Sequence, residues 1–325
     1  MTKYFSCLCT WLLASFFSYP NAYGQESAKT LPAAWVWQIP GQNRTVYLVG
    51  EFHSFNVPPG TSVDFRLGND VYSLAAEVWV EAAEFATSKR YPPKSLSSQL
   101  SPDTWQNVKN MVTSVGENGR MTNPKLIELK NEGLKEMEEQ SAFLAYSGLG
   151  LLSNLKYQMS RPQKRTVQGL THIFTTKEKT SDQKKISEIE QSTEADDAWR
   201  EHCDTNELAE KIVKAGLQYF DLDFFWRNEK FAELHNIFAD PTTTEEMFLA
   251  HWLRLMSEND LVLQCNVVPR NLVWVPKIVD ALQSSGPPIV VLVGAIHMMG
   301  EGGLLALLSA KGFTDSRRIY SVPKP

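Results

Sequence analysis

The chain has 325 residues and a formal net charge of −5, with 32 Lys and Arg against 37 Asp and Glu. No basic block stands out, which argues against a nucleic-acid partner and against binding to an anionic membrane surface. Beyond residue 24 no stretch approaches about 18 uninterrupted apolar residues, so the mature chain is expected to be soluble.

Residues 1–24 have the build of a secretory signal peptide. Lys3 supplies a positive start and FSCLCTWLLASFFSY an apolar centre; Ala22-Tyr23-Gly24 then places small residues at the −3 and −1 positions of a cleavage site. Cleavage after Gly24 makes the protein secreted or periplasmic. The other reading is an uncleaved anchor, in which case the membrane is met only through this segment. Cys203 and Cys265 are the cysteines left after cleavage. In an oxidising compartment they either pair or stay as two buried thiols. With no CxxC, a cysteine-based zinc knuckle is excluded.

Two β-rich runs, Trp35–Ile39 and Thr45–Val49, flank Pro40-Gly41-Gln42-Asn43 and read as a hairpin. A helix is expected around 64–75, followed by a strand through Glu77-Val78-Trp79-Val80-Glu81. The order strand, loop, helix, strand is that of a βαβ unit. Residues 86–124 are polar and broken by prolines, and 125–147 have helical spacing. Residues 160–185, rich in Lys, Arg, Thr and Ser, read as an exposed loop. Helical spacing returns from Thr205 to Met256. The last unit is a buried strand, Ile289–Val293, a glycine-bearing turn, and a short helix over Gly303–Lys311.

Two segments echo each other, LVGEFH at 48–53 and LVGAIH at 292–297. The GxxH spacing itself is weak, because 18 Gly and six His supply about a third of one such pair by chance. A third instance, Gly169-Leu170-Thr171-His172, follows the polar RPQKRTVQ and is read as a chance match. The other two stand out by setting. Each follows an apolar β run, and in open α/β sheets ligands sit beyond the carboxyl ends of the strands. Gly50 and Gly294 are expected to let the chain turn sharply there, delivering His53 and His297 to one level. Whether the two strands are neighbours stays open. Glu81 closes its strand in the same way. Two His and one carboxylate suit Zn²⁺ or Mn²⁺ with a position left for water; the alternative is an ordinary solvent-facing Glu and two loop histidines. His202, His235 and His251 read as structural.

These residues together resemble the TraB/GumN family, whose hallmarks are two GxxH motifs and a glutamate closing the strand after the first. Here they read LVGEFH, VWVEAAE and VLVGAIHMMGEGG, with a further Arg-Asn element at Pro269-Arg270-Asn271-Leu272-Val273-Trp274. Ile186–Glu190 is a weaker match to a central acidic strand. The resemblance implies one α/β domain over 25–325. It would have a central, mostly parallel β-sheet flanked by helices, an N-terminal β-hairpin, and a helical insertion over roughly 86–255.

The resemblance also implies metal-dependent hydrolysis of a peptide or protein substrate. His53, His297 and Glu81 would hold a divalent ion (Mn, Co or Zn). Glu81 or Glu51 would move the proton, and Arg270 would steady developing negative charge, unless Arg270 is a structural salt bridge. Glu51 departs from the family, which usually has a small residue, often Thr, after the first Gly. It is expected to add a ligand or act as general base, or else to pair with Arg270 and block the site. Two further readings stay open: a metal-independent His/Glu hydrolase, and a non-catalytic peptide- or haem-sequestering protein.

Overall fold

A computed structural model describes residues 30–57, 62–82, 86–91, 94–114, 133–135, 137–160, 165–178, 184–221, 233–255 and 258–322. The expected signal segment, and the part of the expected 125–147 helix before residue 133, lie outside them. The strands are β1 (Thr30–Pro32), β2 (Ala34–Pro40), β3 (Thr45–Glu51), β4 (Ser54–Val57), β5 (Ser62–Asp64), β6 (Glu77–Val80), β7 (Arg165–Gln168), β8 (Lys185–Glu188), β9 (Ile289–Gly294) and β10 (Arg317–Ile319). The helices used below are α1 (Arg66–Leu74), α2 (Pro102–Ser114), α3 (Ala142–Ser160), α4 (Leu170–Glu178), α5 (Glu194–His202), α6 (Asn206–Asp221), α7 (Glu245–Leu255), α8 (Val268–Gln283) and α9 (Leu304–Ala310).

Six strands form a central sheet in the order β10-β2-β3-β9-β6-β8. The four from β3 to β8 run parallel, and β2 and β10 join antiparallel at one edge. This is the expected mostly parallel α/β sheet with its N-terminal hairpin. Parallel strands covered on both faces read as continuous apolar runs, and every residue of β9 is buried.

Side-chain alternation splits the strands between two cores. Trp35, Trp37, Leu48, Ile289, Val291 and Val293 pack with Trp274, Ile278 and Leu308 on one face. Val36, Tyr47, Val49, Val78, Val290 and Leu292 pack with Val71, Tyr72, Leu170 and Phe174 on the other. A third cluster joins α2, α3, α5 and α6.

Helix α1 buries Gly68, Val71 and Tyr72 on one face. Its carboxyl end is closed by Lys184, whose Nζ donates to the carbonyls of Ser73 (2.9 Å) and Ala75 (2.8 Å). A cation there complements the helix dipole.

One expectation is corrected. Residues 160–185 are not a plain loop: Arg165–Gln168 pairs with β4, and α4 follows directly. Leu170 and Phe174 are fully buried, so α4 covers one sheet face while its polar residues mislead the eye. Within the 86–255 region β8 is a strand of the central sheet, at the place of the expected acidic strand Ile186–Glu190. Among the described residues no helix is long and apolar enough to cross a membrane.

Candidate functional site

The two echo strands are neighbours. β3 and β9 pair in parallel, with Gly50 opposite Val293 and Glu51 opposite Gly294. β6 lies on the other side of β9, so Glu81 leaves the sheet at the same edge. The topology therefore brings His53, His297 and Glu81 together, with Glu81 between the two rings. Glu81 Oε2 lies 3.3 Å from His53 Nε2, and Glu81 Oε1 lies 3.3 Å from His297 Nε2.

The glycines serve a different purpose from the one expected. Gly294 has φ −56° and ψ 137°, angles open to any residue. What it lacks is a side chain. A Cβ there would stand 3.3 Å from Glu81 Oε2 and 3.5 Å from His53 Nε2, and the Gly294 amide donates to Glu81 Oε2. At Gly50 a Cβ would meet the Met298 side chain at 3.0 Å and the Ala295 Cα at 3.1 Å. Both positions need room for a close approach.

His297 is buried and its state is legible from its neighbours. Asn271 Nδ2 donates to the carbonyls of His297 (3.0 Å) and Gly302 (2.8 Å). That orients the amide so that Oδ1 accepts from His297 Nδ1–H at 2.7 Å. Nε2 is then the nitrogen with the lone pair, and Trp274 stacks on the ring at 4.5 Å. Burial, the largest influence, lowers the His297 pKa. Glu81 pulls it back up and Arg270 and His53 push it down, leaving it below the usual value.

His53 is the open side of the site, with 56% of its side chain accessible, yet both ring nitrogens turn inward to buried carboxylates. Nδ1 donates to Glu51 Oε1 at 3.1 Å. Crowding by the surrounding protein works against a charged ring. The hydrogen bonds and negative charges of Glu51 and Glu81 outweigh it and raise the pKa to about 10. Burial alone would raise the Glu81 pKa, but His297, His53 and Arg270 hold it well below the carboxylate range.

Arg270 is carried by α8, which follows a π-helical turn at Leu263–Val267. Its donors are engaged: Nη2 to Glu81 Oε1 (2.8 Å), Nε to Glu190 Oε2 (2.8 Å), Nη1 to Asn266 Oδ1 (3.2 Å), and Nη2 also to Glu190 Oε1. Only 4% of the residue is exposed. This is the buried salt bridge that the sequence left as one of two alternatives. Asn266, Arg270 and Trp274 follow at four-residue steps and so share one helix face. Burial raises the Glu190 pKa, Arg270 opposes it and the Glu81 charge adds to it, with a net upward shift.

Glu51 is buried, and its carboxylate meets the amino end of α4. It accepts from the Leu170 amide, the Thr171 amide (3.1 and 3.2 Å) and the Thr171 hydroxyl. None of its partners among the described residues is Arg270, so the expected blocking pair does not form. The third GxxH thus has a place in the structure after all, though His172 is exposed. Its Gly169 and following amides hold the first GxxH segment.

Sequence reasoning noted Asn271, Trp274 and Glu190 only as parts of family elements, without a site role, and missed Asn266 altogether. Glu190 carried a usable signal, since it stands just past the end of a parallel strand, as Glu81 does. The donor types at the centre suit a divalent ion: two imidazoles, each anchored at Nδ1, turn Nε2 onto one carboxylate. Among the described residues no group of three or more His, Cys, Asp or Glu stands in an arrangement that could hold a metal ion. Cys203 and Cys265 form a disulfide, next to Asn266 in sequence.

The chain matches the TraB/PrgY/gumN family over residues 35–317. No curated protein and no solved structure matches it significantly.

Proposed function

The chain belongs to the TraB/PrgY/gumN family, and from that premise we propose that it is a metal-dependent hydrolase acting on peptide or protein substrates outside the cytoplasm. The observation that carries the proposal is the convergence of His53 Nε2 and His297 Nε2 on the two oxygens of buried Glu81. Those three residues would hold the ion. When bound, a divalent ion supplies a Lewis acid and a water ionised near neutral pH.

The remaining chemistry belongs to the chain itself. Asn271 holds the His297 ring so that Nε2 faces Glu81. Arg270 neutralises part of the charge on Glu81 and Glu190 and keeps Glu81 ionised. Its donors are engaged and it is buried, so its role is to set the charge of the site and not to bind substrate. Substrate reaches the site past His53, the exposed member. The Cys203–Cys265 disulfide supports an oxidising compartment, in line with the expected signal peptide.

One observation favours a second reading without metal. Arg270 Nη1 lies 3.5 Å from His297 Nε2, a positive charge beside the nitrogen that would bind the ion. In that case the His53–Glu81 pair alone moves protons. Elemental analysis of the mature protein separates the two. About one Mn, Co or Zn per chain, lost in both His53→Ala and His297→Ala, supports the metal reading. Metal content unchanged by both substitutions contradicts it, and hydrolysis that survives strong chelators points to the second reading.

A further inference from the structure

Glu51 occupies a position where a general base or a fourth ligand was expected, and its surroundings fit neither. A carboxylate has about four lone-pair sites. Here four donors meet it: the amides of Leu170 and Thr171, the Thr171 hydroxyl, and His53 Nδ1–H. Its side chain is 0% exposed. A group with every lone pair taken and no path to water is not placed to activate a nucleophile. What it touches instead is one ring nitrogen on one side and a helix terminus on the other.

We propose that Glu51 is a positioning residue: with the amino end of α4, it fixes the orientation of the His53 ring so that Nε2 faces Glu81. Three observations carry this inference.

First, the side chains of residues 51 and 53 meet just past the end of β3, His53 Nδ1 donating to Glu51 Oε1 at 3.1 Å. Phe52 between them packs instead against His235 (4.6 Å) and Phe238 (4.8 Å), which anchors the segment.

Second, the α4 terminus is built to hold an anion. Its free amides and dipole favour negative charge, and the Gly169 amide donates to the His53 carbonyl at 2.8 Å.

Third, the fit leaves no room for a side chain at residue 169. A Cβ there would stand 2.3 Å from the Phe52 carbonyl oxygen and 2.7 Å from Glu51 Oε2. Glu51 and Gly169 are therefore two halves of one clamp. A carboxylate on Nδ1–H also makes Nε2 the more basic nitrogen, the usual way in which an outer partner tunes a ligating imidazole. The inference takes His53 as a site residue, as the proposed function does, but its readout is the ring and not metal or turnover.

The experiment is NMR on mature protein carrying ¹⁵N-labelled histidine, in which the His53 and His297 Nδ1–H protons are followed by exchange with water. His297 is the internal control, because its Nδ1–H is held by Asn271. Glu51→Ala should accelerate His53 Nδ1–H exchange at least about tenfold, as expected for loss of a charge-assisted hydrogen bond, and leave His297 unchanged. A protected His53 Nδ1–H that persists in Glu51→Ala overturns the proposal, and so does equal acceleration at both rings, which would mean only general loosening. If Glu51→Ala does not fold, Thr171→Val serves, since it removes one donor and leaves the carboxylate. A smaller acceleration at His53 alone supports the clamp, and no change at either ring refutes it.

Discussion

His53 and His297 carry the same motif, leave adjacent strands one register step apart, and meet the same carboxylate, yet their surroundings set them opposite ways. His297 is sealed under Trp274 with a neutral amide on Nδ1, and its pKa falls. His53 faces solvent with a carboxylate on each nitrogen, and its pKa rises to about 10. One spacing thus yields one ring held neutral and one ring disposed to carry charge. Pairs of titratable groups pushed apart in this way are how sites divide acid and base roles. A repeated motif fixes where a side chain is delivered, and the neighbouring strand and helix decide what it becomes there.

The largest effect is expected where the two halves share a counter-charge. Arg270→Ala leaves Glu81 and Glu190 buried without their cation. It should cost about 3–5 kcal/mol of unfolding free energy, measured by denaturant titration. A cost under about 1 kcal/mol would mean that the two carboxylates are not held by Arg270.

The echo's own glycines sharpen the comparison next. Gly294→Ala puts a methyl between Glu81 and His53 and should cost about 1–3 kcal/mol together with the convergence of the site. Gly50→Ala meets Met298 and Ala295 instead. It should lower stability by a similar amount while sparing metal affinity. Equal loss of affinity in both variants would break the distinction.

The smallest effect is in the pH dependence of stability of the metal-stripped protein. The His53 pKa is raised above its unfolded value of about 6.5. Its contribution is therefore present below pH ~6.5 and lost as pH rises through about 10. His297 has the opposite sign: its pKa is lowered, so its contribution is present above pH ~6.5 and lost as pH falls. His53→Gln should flatten the alkaline limb only, by about 1 kcal/mol or less because solvent screens an exposed ring. A wild-type-like alkaline limb in that variant would show that the carboxylates do not hold His53 charged.

Much of this was legible in the sequence because burial on both faces leaves an unmistakable apolar run, as at Ile289–Val293, and because Glu81, His53 and His297 each follow such a run. Strand order was not legible. Nothing in LVGEFH states that β9, some 240 residues later, slots between β3 and β6. The glycines were assigned to the right places for the wrong reason, since local reading sees a glycine's freedom of rotation and not the atom that a Cβ would strike. The segment Arg165–Glu178 was misjudged because α4 buries only a few residues, Leu170 and Phe174 foremost, under an otherwise polar exterior. For Glu51 the sequence offered a ligand, a base or a blocking partner of Arg270, and not the amino end of α4 that it meets.

The account's central claim is that the two rings serve one centre through Glu81. Its most direct test is Co²⁺ titration of the metal-stripped mature protein, read by visible absorption. The account predicts saturation at about one equivalent with d–d bands typical of mixed N/O ligation. It also predicts loss of those bands in each of His53→Ala, His297→Ala and Glu81→Gln. Bands that persist in any one of the three, or no Co²⁺ spectrum in the wild-type protein, would contradict it.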